Sequence, residues 1–255
     1  MKGIVDRYFE TLAARLEHVR ATQAEAIGRA AEACARSIAA DKLVFAFGAG
    51  HGALPALEMF PRTGTIVGFR PIVESTMISF HRVWGDMGAR QYRFIHAVEG
   101  YGRAILRSHQ LDPPGHDDPV LAFGRQRGHP RHRARRQGKG HDARRRDLDP
   151  ALLREPLAAF VGKEALRGRG RRRRHRRPAR RRLDPDRGLA APVGATSTSL
   201  TIAIAHAIVA ATAEKLVERG VAPMVMVNPN TADKAGADAA NDSNYDELWR
   251  RLKSR

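Results

Sequence analysis

The sequence predicts one α/β domain with a parallel sheet flanked by helices, and three observations carry that expectation. Short apolar runs rich in β-formers alternate with helical patterns. The first run ends in a glycine cluster that opens into a helix. The order strand, helix, strand, helix, strand calls for crossover connections and a sheet covered on both faces. A length of 255 residues suits one such domain.

In chain order, Ile4, Val5, Tyr8, Phe9, Leu12, Leu16 and Val19 recur at three- and four-residue spacing, and an alanine-rich continuation ends near Ile38. Residues 1–40 are therefore expected to form one long or two short amphipathic helices. Lys42 to Phe47 (KLVFAF) is a strand running into Gly48-Ala49-Gly50-His51-Gly52, and Leu54, Leu57, Glu58 and Met59 give the helix that follows. A second strand is expected within Thr65 to Val73, a helix over Glu99 to His109, and a third strand from Pro119 to Phe123, after a turn rich in Asp, Pro and Gly. Order resumes at Gly188, with a small-residue loop at Ala190 to Thr198, a helix over Leu200 to Val217, an apolar run at Val221 to Val227 and a short terminal helix at Tyr245 to Leu252.

Charge divides the chain. Of 45 Lys and Arg residues, 24 lie in 124–187, against 7 of the 27 Asp and Glu. That segment holds a net +17 of the total +18, and the rest is balanced at +1. A nucleic-acid-binding domain spreads basic residues over a face that keeps its apolar periodicity, and this segment has little periodicity. The single cysteine, Cys34, excludes an internal disulfide and sits in a helical stretch as a small buried thiol. The N-terminus lacks the apolar core of a signal peptide, and the expected setting is the cytoplasm.

A strand that ends in glycines and opens into a helix points backbone N–H groups and the positive end of the helix dipole at one place, where phosphate is the usual guest. The motif G-A-G-H-G lacks the third glycine of a dinucleotide fold and the Lys-Ser/Thr of an NTPase loop, so neither is indicated and no cofactor is called for. The loop Gly194-Ala195-Thr196-Ser197-Thr198 also opens a long helix, with more hydroxyls than one cap uses. Both loops are expected beyond the carboxyl ends of the strands, where parallel sheets bind ligands.

Three motifs in combination, F-A-F-G-A-G-H-G, E-M-F-P-R-T-G and P-V-G-A-T-S-T, resemble the sugar-isomerase (SIS) domain family, in its group of single-domain proteins. The likeness covers about residues 1–123 and 188–255. It implies a Rossmann-like, five-stranded parallel sheet, phosphosugar binding by serine and threonine loops, and a homodimer. By position, Gly48, Gly50, His51 and Gly52 line the first binding loop, and Thr196, Ser197 and Thr198 line the second. The family's Ser-x-Ser-Gly loop after the third strand is missing, because Gly124-Arg125-Gln126-Arg127-Gly128 follows Phe123.

A shifted reading frame over 124–187 accounts for that gap and for the charge. Read one base later, CGN arginine codons encode only Val, Ala, Asp, Glu or Gly, so Arg169 to Arg177 becomes strand-like text. Gln126-Arg127-Gly128-His129 then permits Ser-Gly-Val-Ile. The central part of the sheet is accordingly expected to be disrupted in the written chain.

For an aldose–ketose isomerase, His51, Glu58 and Glu74 are of the right type for a general base. Nucleic-acid binding through 124–187 is the alternative, with phosphate contacts from Arg169 to Arg182. The histidines His116, His129, His132 and His141 have no metal-ligand spacing, and no metal is expected.

Overall fold

The structure is a computed structural model that describes residues 3–78, 94–95, 98, 100–109, 120–123, 193–230 and 233–253. Helix α1 (Ile4–Ala39) is followed by β1 (Val44–Gly48), a 3-10 turn at Gly50–Gly52, α2 (Ala53–Glu58), β2 (Phe69–Ile72) and α3 (Ser75–Ile78). Then come α4 (Tyr101–Ser108), β3 (Val120–Phe123), α5 (Ser197–Glu218) and α6 (Lys234–Lys253). The anomalous segment 124–187 and the four histidines named above lie outside the described residues.

The expected N-terminal helices are one 36-residue helix. It closes with a Schellman arrangement: Asp41 N–H donates to Ile38 C=O, and Lys42 N–H to Ser37 C=O at 2.9 Å, with Asp41 itself left-handed at φ 61°. That reversal feeds β1. Val44 and Ala46 face a core shared with Cys34, Ala35, Leu200, Ile204 and Ile208. Phe45 points to the opposite core with Ile72, Met77, Ile105 and Leu248. Alternate residues of β1 thus serve two covered faces, as a central parallel strand must.

The sheet order is β2-β1-β3, all parallel, with Phe47 opposite Ile72 and Gly48 opposite Phe123. Among the described residues it has three strands rather than the five that the family resemblance implies. The run Thr65 to Val73 is strand only from Phe69 onward. Its first half pairs antiparallel with the late apolar run: Val67 N–H donates to Met224 C=O and Met226 N–H to Thr65 C=O, both at 2.9 Å. Gly68, at φ 132°, turns the chain between the two pairings, and Ile38 packs where its Cβ would stand.

Helix α6 begins eleven residues earlier than its apolar pattern indicates. Asp233 caps it by accepting from Gly236 N–H. Asn241 exchanges two hydrogen bonds with the Val227 backbone, and Asn244 donates to Val225 C=O. Residues that read as loop formers here clamp the 224–227 segment to the helix. Helix α5 is long and apolar enough to cross a membrane by length and composition. Its apolar side chains, Leu200, Ile204, Ile208 and Leu216 among them, are buried in packing that includes α1 and α2. Cys34 is fully buried in that packing, and loss of solvation pushes its thiol up to about 12, so it is no nucleophile.

The C-terminal helix is tied to the end of α1 by charge. Buried Arg251 donates to Glu247 at 2.8 Å and to Ile38 C=O at 3.3 Å, and Arg250 bonds both Glu247 and Asp41. Hydrogen bonding from Arg250 first, and from Arg251 next, holds Glu247 down to about 2, and Arg250 also lowers Asp41. Because these folded values lie below the unfolded ones, the stabilisation is full above about pH 4.3, the ordinary glutamate value, and is lost as pH falls further. Urea unfolding at pH 7 should therefore separate wild type from Arg250→Gln, and the gap should close as the pH approaches about 2.

Candidate functional site

The carboxyl ends of the three strands, at Gly48, Ile72 and Phe123, form one edge, and the glycine turn lies directly on it. Gly48 is buried, and a Cβ there would sit 1.8 Å from Gly52 carbonyl oxygen, so the turn folds back onto the strand that enters it. Gly50 is buried at φ 60°, a conformation that favours glycine. Gly52 is half-buried, and His51 at the tip is exposed. Both α3 and α5 touch this turn.

Helix α5 starts from Thr196, whose side chain is fully buried and makes no cap hydrogen bond. Its Oγ1 accepts instead from Arg15 Nη1 of α1 at 2.5 Å. Ser197 and Thr198 are half-buried in the first turn, where backbone N–H groups have no partner within the helix. Burial lowers the Arg15 pKa from its ordinary value. The hydroxyl-rich loop is therefore braced by a cation from the N-terminal helix.

Glu58 ends α2, one short helix away from the glycine turn. Its Oε2 meets Arg62 Nη1 on one side and His206 Nε2, from α5, at 3.3 Å on the other. The Glu58 and His206 side chains are 34% and 40% exposed, which leaves both within reach of a small molecule. Glu74 lies just past β2. Its Oε1 lies 3.2 Å from the Thr76 hydroxyl and 3.4 Å from the Tyr101 hydroxyl, and those two hydroxyls are within hydrogen-bond reach of each other, so either can donate to the carboxylate or to its neighbour. The structure thus places His51, Glu58 and Glu74 in three different settings: a turn tip, the α2–α5 seam and the β2–α4 corner.

Sequence reasoning missed Arg15, Tyr101 and His206. Arg15 and Tyr101 carry no local signal. His206 does, being the one ionisable side chain between Ser197 and Ala213 in an otherwise apolar helix.

Residues 7–118 match the SIS domain family. Among curated proteins, the chain is 40% identical over 73 residues to a UPF0309 protein of Brucella anthropi, a stretch covering 29% of this chain and 30% of that protein. It is 32% identical over 106 residues to UPF0309 proteins of Brucella ovis and Brucella canis, covering 42% of this chain and 41% of theirs. The matched stretches thus span well under half the length of these relatives. The glycine turn, the P-R-T-G motif and the first two strands all fall inside the region that is similar to SIS domains.

Proposed function

We propose that this chain binds a phosphorylated sugar, with the phosphate held by the Gly48–Gly52 turn and the Thr196–Thr198 start of α5. The observation that carries the reading is the glycine turn itself: it folds back on Gly48 at the carboxyl edge of a parallel sheet, with α5 against it. Backbone N–H groups at such a place favour an anion. The SIS domain match supports a sugar phosphate over other anions. The ligand needs no cofactor, and the setting we assign is the cytoplasm. Thermal shift tests the reading. A phosphosugar at 100 times its Kd stabilises by about 2.7 kcal/mol, or roughly 5 to 10 °C for a domain of this size. Free sugars at the same concentration should do far less, and equal shifts would remove the anion-site argument.

The Glu58–His206 pair favours a second step, aldose–ketose isomerisation. A carboxylate can take the proton from the carbon beside the carbonyl while an imidazolium protonates the carbonyl oxygen. The C–H electron pair becomes the C=C bond of an enediol; the carboxylic acid then returns its proton to the neighbouring carbon while the other enediol hydroxyl gives its proton back to the imidazole, which forms the new carbonyl and restores both groups. No oxidant or further reactant is required. Of the three candidate bases His51, Glu58 and Glu74, it is Glu58 that has an imidazole nitrogen at 3.3 Å.

The exposed apolar residues of α1, Ile4, Val5, Phe9 and Leu16, fit burial against a second copy of the chain. Light scattering at micromolar concentration should give twice the chain mass, and a monomer would count against a homodimer. The segment 124–187 is assigned to a shifted reading frame, and the family match ends at residue 118, just before it. Coding DNA across codons 120 to 190 decides this, and one uninterrupted frame would overturn it. No observation favours the nucleic-acid alternative.

A further inference from the structure

Glu74 is held in a way that solvation alone does not require. A carboxylate at the edge of a sheet is satisfied by water, yet two hydroxyl groups from separate helices converge on it. The hydroxyls of Thr76 in α3 and Tyr101 in α4 both lie within hydrogen-bond reach of the same oxygen, Oε1, and of each other, so that their two protons are shared over three contacts. Among the described residues Oε2 has no hydrogen-bond donor, so the carboxylate is fixed in orientation with one oxygen left to accept. Glu74 follows β2 at the carboxyl edge of the sheet, and α3, which begins at the next residue, touches the Gly50–Gly52 turn.

We propose that Glu74, oriented by Thr76 and Tyr101, accepts hydrogen bonds from the hydroxyls of the bound sugar and so sets specificity for the polyol part of the ligand. The assignment rests on the phosphosugar reading above and adds the end of the site that reads sugar rather than phosphate. A phosphate dianion has no proton to donate and repels a carboxylate, whereas a sugar hydroxyl donates to it, and such charge-assisted bonds are the strong ones. Tyr101 and Thr76 act as positioning residues, since they reach the ligand only through Glu74.

The test is calorimetry on the full chain with fructose 6-phosphate and, separately, fructose and inorganic phosphate. Glu74→Gln should weaken fructose 6-phosphate about 10-fold or more while phosphate binding stays within about twofold. Tyr101→Phe, which keeps the ring, should weaken the sugar phosphate by a smaller factor in the same selective way. Unchanged sugar-phosphate affinity in both variants overturns the assignment. So does an equal loss for both ligands, which would mark a structural role. If wild type prefers fructose 6-phosphate to neither fructose nor phosphate, the phosphosugar reading itself fails, and this inference falls with it.

Discussion

Gly48→Ala is expected to destabilise the fold by about 4 kcal/mol or more, at the extreme of single-substitution effects. The added Cβ would stand 1.8 Å from Gly52 carbonyl oxygen, 2.2 Å from its carbonyl carbon and 2.7 Å from Ala53 nitrogen. All three are backbone atoms, so no side-chain rotation relieves the contact. Nor can the strand move away, because Gly48 is paired with Phe123 and its neighbour Phe47 with Ile72. Either β1 leaves its register or the turn unwinds.

Two other glycines calibrate the effect. Gly64 has open space around it but φ 83°, so alanine there should cost only the left-handed penalty of about 1 to 2 kcal/mol. Gly28 lies inside α1 with nothing within 4 Å, and alanine should stabilise by about 0.5 to 1 kcal/mol. Urea unfolding of the three variants gives the order directly. A Gly48→Ala protein within about 1 kcal/mol of wild type would show that the turn is not closed as described.

The parts of the fold that could be read in the sequence are those whose period is set by burial of one face or two. Helix α1 shows three- and four-residue spacing, and β1 is a continuous apolar run because alternate residues enter separate cores. Reading failed where the backbone found its partners through particular side chains or across long separations. Thr65 to Val67 looks like the start of a strand, but it pairs with Met224 to Met226 instead of joining the sheet. The first half of α6 has no apolar stripe, and its asparagines, ordinarily turn residues, are occupied by the Val225 and Val227 backbone. The same division holds at the candidate site. The glycine turn is contiguous in sequence and therefore visible, whereas Glu58 and His206 meet only because α2 and α5 pack together.

That meeting leads to the second large effect. If the chain isomerises a sugar phosphate, Glu58→Gln should lower kcat about 10²- to 10⁴-fold, the usual contribution of a positioned acid or base. Glutamine keeps the length of the side chain and an oxygen to accept from Arg62, so what is lost is the capacity to take a proton. His206→Gln should lower kcat by a comparable factor, and the double variant by little more than either alone, since the two groups act in one proton exchange. Stability should change far less, because both side chains are more than a third exposed and exposed ion pairs contribute about 0 to 1 kcal/mol. Exchange of the substrate's carbon-bound proton with solvent deuterium gives an independent readout, and it should disappear in Glu58→Gln even if binding is retained. Retention of kcat within about threefold in both variants would remove the pair from the chemistry. If wild type shows neither turnover nor exchange while thermal shift still reports phosphosugar binding, the chain is a binding domain, and Glu58 and His206 serve to lock α2 against α5.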